Sequence, residues 1–177
     1  MKFVRILLGI IVIIAAIIFI GGMFLSDKYS VNRTIMIKAP QGKIYNNIAD
    51  FNKFLQWNPW SKMDPAAKVK ISGPVAQAGH LYEWAGKESG QGQMLIDKVD
   101  SASFVDIELK FIKPFESVAN TNFTLAPLAD SIKVTWSMSG ESKATLEKWM
   151  YLNMDGMIGK DFESGLKNLK ELSEKQL

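Results

Sequence analysis

The chain has 177 residues, with 21 basic residues against 18 acidic ones, one histidine and no cysteine. Two of the basic residues, Lys2 and Arg5, precede an apolar run, so the remainder carries 19 against 18 and lacks the basic stripe of a nucleic-acid-binding protein. The absence of cysteine excludes thiol nucleophiles and thiolate metal sites, and a single histidine excludes a histidine-based metal cluster. We therefore expect no metal ion, no cofactor and no nucleic-acid partner.

The first predicted element is the uncharged apolar run from Ile6 to Leu25. As a helix, its twenty residues would be about 30 Å long, which matches the hydrocarbon core of a bilayer. A cleaved secretory signal is the alternative, but the run is long for one and Phe19–Ser26 offers no convincing cleavage site. The chain is therefore predicted to comprise a short flank (1–5), a single transmembrane anchor (6–25) and one domain (26–177).

The charges that flank the run predict its orientation. Lys2 and Arg5 lie on the N-terminal side, whereas Ser26, Asp27 and Lys28 flank the other end, with Arg33 a little further on, so the difference is small. The positive-inside rule then favours a single-pass protein with a cytoplasmic N-terminus and its domain outside the cytoplasm.

After the anchor, alternation from Tyr29 to Lys38 predicts a strand, with Ile37 nearest the core. Pro40 then begins a helix, since the missing N–H of proline costs nothing in the first turn. Asp50 is a candidate cap for a second short helix that ends before Asn58-Pro59. This stretch is therefore predicted as one strand followed by two short helices.

From Ala67 to Gly140 the apolar period is two residues, which predicts six strands joined by tight turns, with Gly86 to Gly90 as one hairpin turn. The C-terminal segment is predicted as a long helix, because its apolar residues recur at steps of three and four: Ile158, Phe162, Leu166, Leu169 and Leu172. Gly156, Gly159 and Gly165 weaken its first half. They would let the helix approach a sheet closely or bend, and simple tolerance of glycine is the alternative. The order predicts an α+β fold, a curved seven-stranded antiparallel sheet around a long C-terminal helix.

Several short motifs resemble one family, the membrane-anchored branch of the bacterial SRPBCC proteins, which have the START-like helix-grip fold and are often labelled polyketide cyclase/dehydrase. The motifs are Asn58–Pro65, Ser72–Pro74, Tyr82-x-Trp84, Phe111–Phe115, Val134–Gly140 and Met157–Glu163. The resemblance covers about residues 29–172 and implies the helix-grip fold. It says less about function, because this fold serves lipid carriers, hormone receptors, cyclases and chaperone regulators. Its label implies an enzyme, yet no catalytic motif of this branch can be placed on the sequence, so we predict no catalytic residue.

The candidate ligand site is a set of large, flexible side chains on the strands, the final helix and the segment after the short helices. A cupped sheet that holds so many of them favours an apolar cavity, although the alternative is a solid core. The predicted cavity residues are Trp57, Trp60, Tyr82, Trp84, Phe111, Trp136, Met138, Met154, Met157 and Phe162. Trp57 and Trp60 have a second interpretation, contact with lipid at the rim of the cavity.

Three ionisable residues are candidates for polar groups of the cavity: His80, Glu83 and Asp155. His80 follows Gly79 at the start of a strand, where a turn-edge or surface role is the main alternative to that of a general base. Charges at a hairpin end and acidic residues in the first turn of a helix also have ordinary structural explanations.

Three functions remain open from the sequence. The first is membrane-tethered binding or transfer of a hydrophobic, lipid-like small molecule without covalent chemistry. The second is a cyclase- or dehydratase-type enzyme that acts on a bulky apolar substrate and uses one of the three ionisable residues. The third is a protein-interaction module of the cell envelope. We expect the first, and no specific protein partner is predicted.

Overall fold

The apolar N-terminal run forms one helix, α1 (Lys2–Met23), in a computed structural model that describes residues 2–100 and 102–175. Residues 1, 101, 176 and 177, which the predicted segments 1–5 and 26–177 include, lie outside the described residues. The 22 residues of α1 span about 33 Å. Apart from its last turns, which contact α5, its side chains are exposed. Its length and composition suffice to cross a membrane, a criterion that an N-terminal signal sequence also meets.

The sheet is antiparallel throughout, in the order β1-β7-β6-β5-β4-β3-β2. Its strands follow the alternation in the sequence, so that every second side chain faces the inner, helix-bearing face. Their bounds are β1 Lys28–Ile37, β2 Lys68–Ser72, β3 Leu81–Ala85, β4 Gln91–Asp100, β5 Phe104–Lys113, β6 Ser117–Leu128 and β7 Ser131–Glu141.

The helices that follow α1 are α2 (Gln41–Ala49), α3 (Phe51–Trp57), α4 (Trp60–Met63), α5 (Thr145–Tyr151) and α6 (Met154–Glu174). Pro40 precedes the first residue of α2, and the Asp50 carboxylate accepts a hydrogen bond from the Asn52 N–H at 3.0 Å, as predicted for a helix cap. Asn58-Pro59 ends α3. These local signals act as the sequence predicts.

The core lies between the inner face of the sheet and α2, α3 and α6, where α6 packs mainly against β1 and the two shorter helices. Trp136 and Phe162 stack with ring centroids 4.1 Å apart and planes 5° from parallel. The α6 backbone comes this close because residue 165 is glycine: a Cβ there would lie 2.9 Å from the Trp136 ring. The expected close approach of the glycine-containing helix is therefore confirmed.

The α+β helix-grip fold with its seven-stranded antiparallel sheet and long C-terminal helix is confirmed. Two helices of the structure were not predicted. The four residues of α4 are too few to show a period, and α5 lies in a stretch that has too many exposed apolar residues for an amphipathic stripe.

Candidate functional site

Two neighbouring rows of apolar side chains cross the inner face of β2 to β5. Strand register aligns Val69, Trp84, Gly92 and Phe111 in one row, and Ile71, Tyr82, Met94 and Leu109 in the next. We call the side chains of these rows the apolar wall: Val69, Ile71, Tyr82, Trp84, Met94, Leu109 and Phe111. The wall contains no acidic, basic or histidine side chain, and α6 packs mainly on the other half of the sheet.

Most of the apolar wall is only half-buried, although it lies on the face of the sheet that carries the core. Met94 is 7% exposed, whereas Val69 is 39% exposed and Tyr82, Trp84, Leu109 and Phe111 lie between these limits. Large apolar side chains that remain partly open on a concave surface are typical of small-molecule sites. The wall is therefore the part of the inner face that the helices leave partly uncovered.

Trp84 is held in one orientation within the wall. Its indole N–H donates to the Ser89 carbonyl at 3.1 Å, and its ring meets the Phe111 ring edge-on at 5.9 Å. The indole lies over Gly92, where a Cβ would be 2.4 Å from the ring. The glycine thus makes room for a flat aromatic surface in the middle of the row.

The other row is closed at one side by the short helices. The Tyr82 ring lies 5.9 Å from Phe51 and 6.4 Å from Phe54, both of α3. Burial raises the pKa of Tyr82, so that its phenol is neutral at physiological pH. The wall accordingly presents apolar surface and no net charge.

Asp64 connects the wall to the β3–β4 hairpin. It is 7% exposed, and its Oδ2 accepts the N–H groups of Glu88 and Ser89 at 3.0 Å and the Ser89 hydroxyl at 2.9 Å. The hydrogen bonds from Ser89, followed by that from Glu88, hold the pKa of Asp64 below its usual value. Because the Ser89 carbonyl holds the Trp84 indole, this carboxylate positions a wall residue indirectly.

The predicted cavity residues divide into three groups. Four of them are buried and contribute to a solid part of the core: Trp57, Trp136, Met138 and Phe162. The Trp57 and Trp136 rings meet edge-on at 5.6 Å, and their indole N–H groups are bonded to the Asn47 carbonyl (2.7 Å) and the Thr121 hydroxyl (2.9 Å). Here the solid-core alternative describes the structure, because the rings pack directly against one another. Trp57, at 0% exposed, also has no surface for lipid contact.

The second group is half-buried: Trp60, Tyr82, Trp84, Phe111 and Met154. Three of these belong to the apolar wall, and Trp60 lies edge-on to Trp136 (5.7 Å) and Phe162 (6.3 Å). Met157 forms the third group alone, since it is 51% exposed and does not line the interior. The helical period of the sequence predicts which face of α6 carries a residue such as Met157, but it does not show how far the sheet extends beneath that face.

His80 is buried, at 1% exposed, which excludes the surface role given as its alternative. Its Nε2 accepts the Phe51 N–H at 3.2 Å, so that Nδ1 carries the proton and donates to the Ser72 carbonyl at 3.1 Å. The ring also stacks on Phe51 at 4.8 Å. With both nitrogens engaged, this imidazole joins α3 to the sheet and leaves no free nitrogen for a ligand.

Glu83 and Asp155 also point away from the wall. Glu83 alternates with Tyr82 and Trp84, so it lies on the outer face, where it is 3.2 Å from the Lys70 ammonium on β2. Asp155 is 66% exposed and forms a bidentate pair with Arg33, at 2.7 and 3.0 Å. The prediction that these residues are polar cavity groups is therefore not supported by their positions.

Arg33 is a charged side chain of the inner face that was not among the predicted site residues, although the alternation of β1 places it beside Val31 and Ile35. Its Nε donates to Glu163 at 2.7 Å, while its Nη1 and Nη2 donate to Asp155. The hydrogen bonds to Asp155, together with the charge of Arg33, lower the pKa of Asp155. The guanidinium crosses α6 over Gly159, where a Cβ would lie 2.2 Å from Nη2. Both acidic partners are on α6, so this cluster fastens the helix to β1 rather than facing the wall.

One further groove, of about 680 Å³, lies on the outer face of the sheet, across β1, β7, β6 and β5. Its lining combines polar side chains such as Ser30, Glu108, Asn120 and Ser139 with apolar surface from Val118 and Ala119. Among the described residues, no three His, Cys, Asp or Glu side chains are grouped as a metal site would require.

A curved antiparallel sheet, a long C-terminal helix and an apolar inner wall define the helix-grip class of ligand-binding folds. The chain belongs to the family described as polyketide cyclase / dehydrase and lipid transport, whose model matches residues 28–174. None of the curated proteins compared with the chain is a match.

Solved structures share this fold at low sequence identity. A protein from Thermobifida fusca is 15% identical, with a TM-score of 0.62 over 82% of this chain and 93% of the other. Protein Ms6760 from Mycobacterium smegmatis is 17% identical, with a TM-score of 0.59 over 86% and 99%. The di-domain ARO/CYC StfQ from the steffimycin biosynthetic pathway is 8% identical, with a TM-score of 0.61 over 84% and 51%. At these identities the likeness concerns the fold alone.

Proposed function

We propose that this protein binds a hydrophobic, lipid-like small molecule on the apolar wall and holds it, without covalent chemistry, beside the membrane to which α1 tethers the domain. The observation that carries the proposal is the wall itself: two aligned rows without a charged side chain, still partly open on the concave face. Burial of apolar area, at about 25 cal/mol per Å², would supply the binding free energy.

The positions of the ionisable groups favour binding over catalysis. The family description includes both cyclases and lipid transport, and an acid–base mechanism needs a titratable group at the ligand. His80 is enclosed by its two hydrogen bonds, Glu83 is on the outer face and Asp155 is paired with Arg33. None of these candidates is placed to move a proton at the wall.

The tether is supported by the length and composition of α1, and it would keep the wall where apolar ligands are concentrated. Under this proposal residues 6–25 are the anchor, 26–177 the binding domain, and Lys2 and Arg5 face the cytoplasm. No protein partner is part of the proposal.

The test is photo-crosslinking of the full-length protein in nanodiscs that contain a diazirine-bearing fatty acid. We expect adducts on peptides that contain Tyr82, Trp84, Leu109 or Phe111, in addition to adducts on α1. The variant Leu109→Gln/Phe111→Gln places two amides on the wall and should remove the wall adducts while leaving those on α1. Val118→Gln is the matched control, because Val118 is 55% exposed and lies on the outer face of the neighbouring strand.

Adducts confined to α1, or wall adducts that persist in the double variant, would overturn the proposed binding site. Circular dichroism and urea unfolding of both variants show whether the loss of adducts reflects the wall or the fold.

A further inference from the structure

The short helix α5 packs directly against the C-terminal end of α1. The Trp149 indole N–H donates to the Ile18 carbonyl at 3.0 Å, and the ring lies against Gly21, where a Cβ would be 2.8 Å away. At Gly22 a Cβ would lie 2.2 Å from the Thr145 methyl group. The two glycines therefore allow α5 to lie beside the last turns of α1, at the level of Ile18 to Gly22.

Two residues of α5 are charged: Glu147, which is half-buried, and Lys148, which is turned away from the surface. Lys148 is 9% exposed and forms an ion pair with Asp27, in the segment between α1 and β1. The hydrogen bond and charge of Lys148 lower the pKa of Asp27, so the pair stays ionised and matched at neutral pH.

The outward side of the same region is apolar and exposed. Leu146 is 70%, Met150 50%, Leu152 65% and Phe24 87% exposed. Together with Trp149 we call these five residues the juxtamembrane patch: Phe24, Leu146, Trp149, Met150 and Leu152. A soluble domain rarely exposes such a cluster, whereas Trp and aliphatic residues beside a transmembrane helix are typical of the membrane interface.

Strand register shows which turns lie at the same end of the sheet as α1 and α5. Lys28 at the start of β1 pairs with Glu141 at the end of β7, so α1 and α5 are both connected to this end of the sheet. The β5–β6 and β3–β4 turns lie there too, since Phe111 pairs with Ser117 and Ala85 with Gln91. The β5–β6 turn carries Phe115, which is 79% exposed.

We propose that the juxtamembrane patch, with Phe115, lies in the interfacial layer of the bilayer that α1 crosses. This inference rests on the proposed tether. The partner is the lipid surface itself, because the patch continues the apolar surface of α1. Residues 24–27, the link between α1 and β1, extend no further than about 18 Å. Interfacial helices of this kind bury their apolar face about 5–10 Å below the headgroups, which agrees with the position of α5 beside Ile18 to Gly22.

The arrangement has a consequence for the proposed binding site. The row of the apolar wall that contains Trp84 and Phe111 is the row nearest this end of the sheet. With the patch in the lipid, that half-open row faces the headgroup region, and an apolar ligand would pass from bilayer to wall with little exposure to water.

The test uses the absence of cysteine from the chain. Full-length single-cysteine variants Leu146→Cys, Met150→Cys and Phe115→Cys carry a nitroxide label in nanodiscs of equimolar phosphatidylcholine and phosphatidylglycerol. Collision of each label with oxygen, which concentrates in lipid, is compared with collision with a water-soluble nickel chelate. We expect high oxygen and low nickel accessibility at all three positions.

Two control positions separate this inference from the tether on which it rests. Leu128 is 54% exposed and lies at the opposite end of the sheet, so a label on Leu128→Cys should be more accessible to nickel than to oxygen. Ile11→Cys, in the middle of α1, should favour oxygen. If Ile11 favours oxygen but Leu146 and Met150 match Leu128, α5 lies in water and the inference fails while the tether stands. If Ile11 favours nickel, the tether itself fails.

A label at Met150 that neither reagent reaches would show that protein, such as a second copy of the chain, covers the patch. That result would also overturn the assignment of the patch to lipid.

Discussion

At the scale of single residues, Gly165 sets the distance between α6 and the aromatic core. A Cβ at this position would lie 2.9 Å from the Trp136 ring and 3.1 Å from Pro59, neither of which has room to move within the packed rings. Alanine gains about 1 kcal/mol of helix propensity over glycine, but crowding a packed core costs about 1–3 kcal/mol. The free-energy cost of the steric contact therefore exceeds the gain in helix propensity.

We expect Gly165→Ala to destabilise the protein by on the order of 1 kcal/mol, measured by urea unfolding of the full chain in detergent. Gly42→Ala is the control: Gly42 lies in α2 with nothing within 4 Å of its Cβ position, so alanine should be neutral or stabilising there. Equal effects at the two glycines would show that α6 does not approach the rings as described.

Asp64 is a second residue whose environment predicts a measurable effect. Its hydrogen bonds from Ser89 and Glu88 lower its pKa in the folded protein below the usual 3.8. A carboxylate with a depressed folded pKa contributes stability above its unfolded pKa and loses that contribution as the pH falls through the folded value. The contribution is thus complete at neutral pH and declines below about pH 4.

We expect Asp64→Asn to lower stability at pH 7 and to flatten the loss of stability between pH 5 and 2, measured as the urea midpoint at each pH. Ser89→Ala removes the hydroxyl bond but keeps the N–H bond, so its profile should lie between those of Asp64→Asn and the parent. A profile of Asp64→Asn parallel to that of the parent would exclude this carboxylate as a source of the acid sensitivity.

At the scale of elements, the sequence predicted those parts of the fold that depend on local patterns. Alternation predicts all seven strands, and the Asp50 cap and Asn58-Pro59 correctly place the ends of α3. The period of two also bears on the candidate polar groups of the cavity. It puts Tyr82 and Trp84 on one face and Glu83 on the other, so Glu83 was never suited to a cavity between them.

The candidate site was harder to predict because it depends on distances between elements. Composition shows that Trp57, Trp136 and Phe162 are interior residues, but whether their rings enclose a space or fill it depends on how closely α6 approaches the sheet. The wall residues Val69, Ile71, Met94 and Leu109 were missed, since only strand register aligns them with Tyr82 and Trp84.

The contact between α1 and α5 is the element-scale feature most open to a test. Gly22→Leu would place a side chain where the Thr145 methyl group now lies, so α5 must move away from α1. We expect faster amide hydrogen exchange across residues 145–152, measured by mass spectrometry in nanodiscs.

Gly9→Leu is the matched control for this variant, because nothing lies within 4 Å of the Gly9 Cβ position. It adds the same side chain to α1 and should leave exchange in α5 unchanged. Unchanged exchange in Gly22→Leu as well would mean that α5 is ordered without α1.

At the scale of the whole molecule, the two halves of the inner face have different properties. The half over β1, β6 and β7 is closed by α6, stacked aromatic rings and the Arg33 cluster, which makes it a rigid support. The half over β2 to β5 is apolar, uncharged and half-open. A solid core on one side and an open wall on the other would allow a small domain to offer the proposed binding surface without losing its stability.

The orientation of the whole chain follows from few charges, which makes it a sensitive prediction. Lys2 and Arg5 lie before the apolar run, whereas the Asp27 and Lys28 charges beyond it largely cancel. Basic residues are retained on the cytoplasmic side, so the domain should lie on the other side of the membrane.

In protoplasts of the expressing cell, a membrane-impermeant maleimide should label Leu128→Cys directly, but Phe3→Cys only after the membrane is disrupted. Lys2→Gln/Arg5→Gln removes the two basic side chains and should yield both orientations, so that part of the Leu128→Cys population becomes protected. Protection of Leu128→Cys in the parent background would reverse the predicted topology and place the apolar wall on the cytoplasmic side.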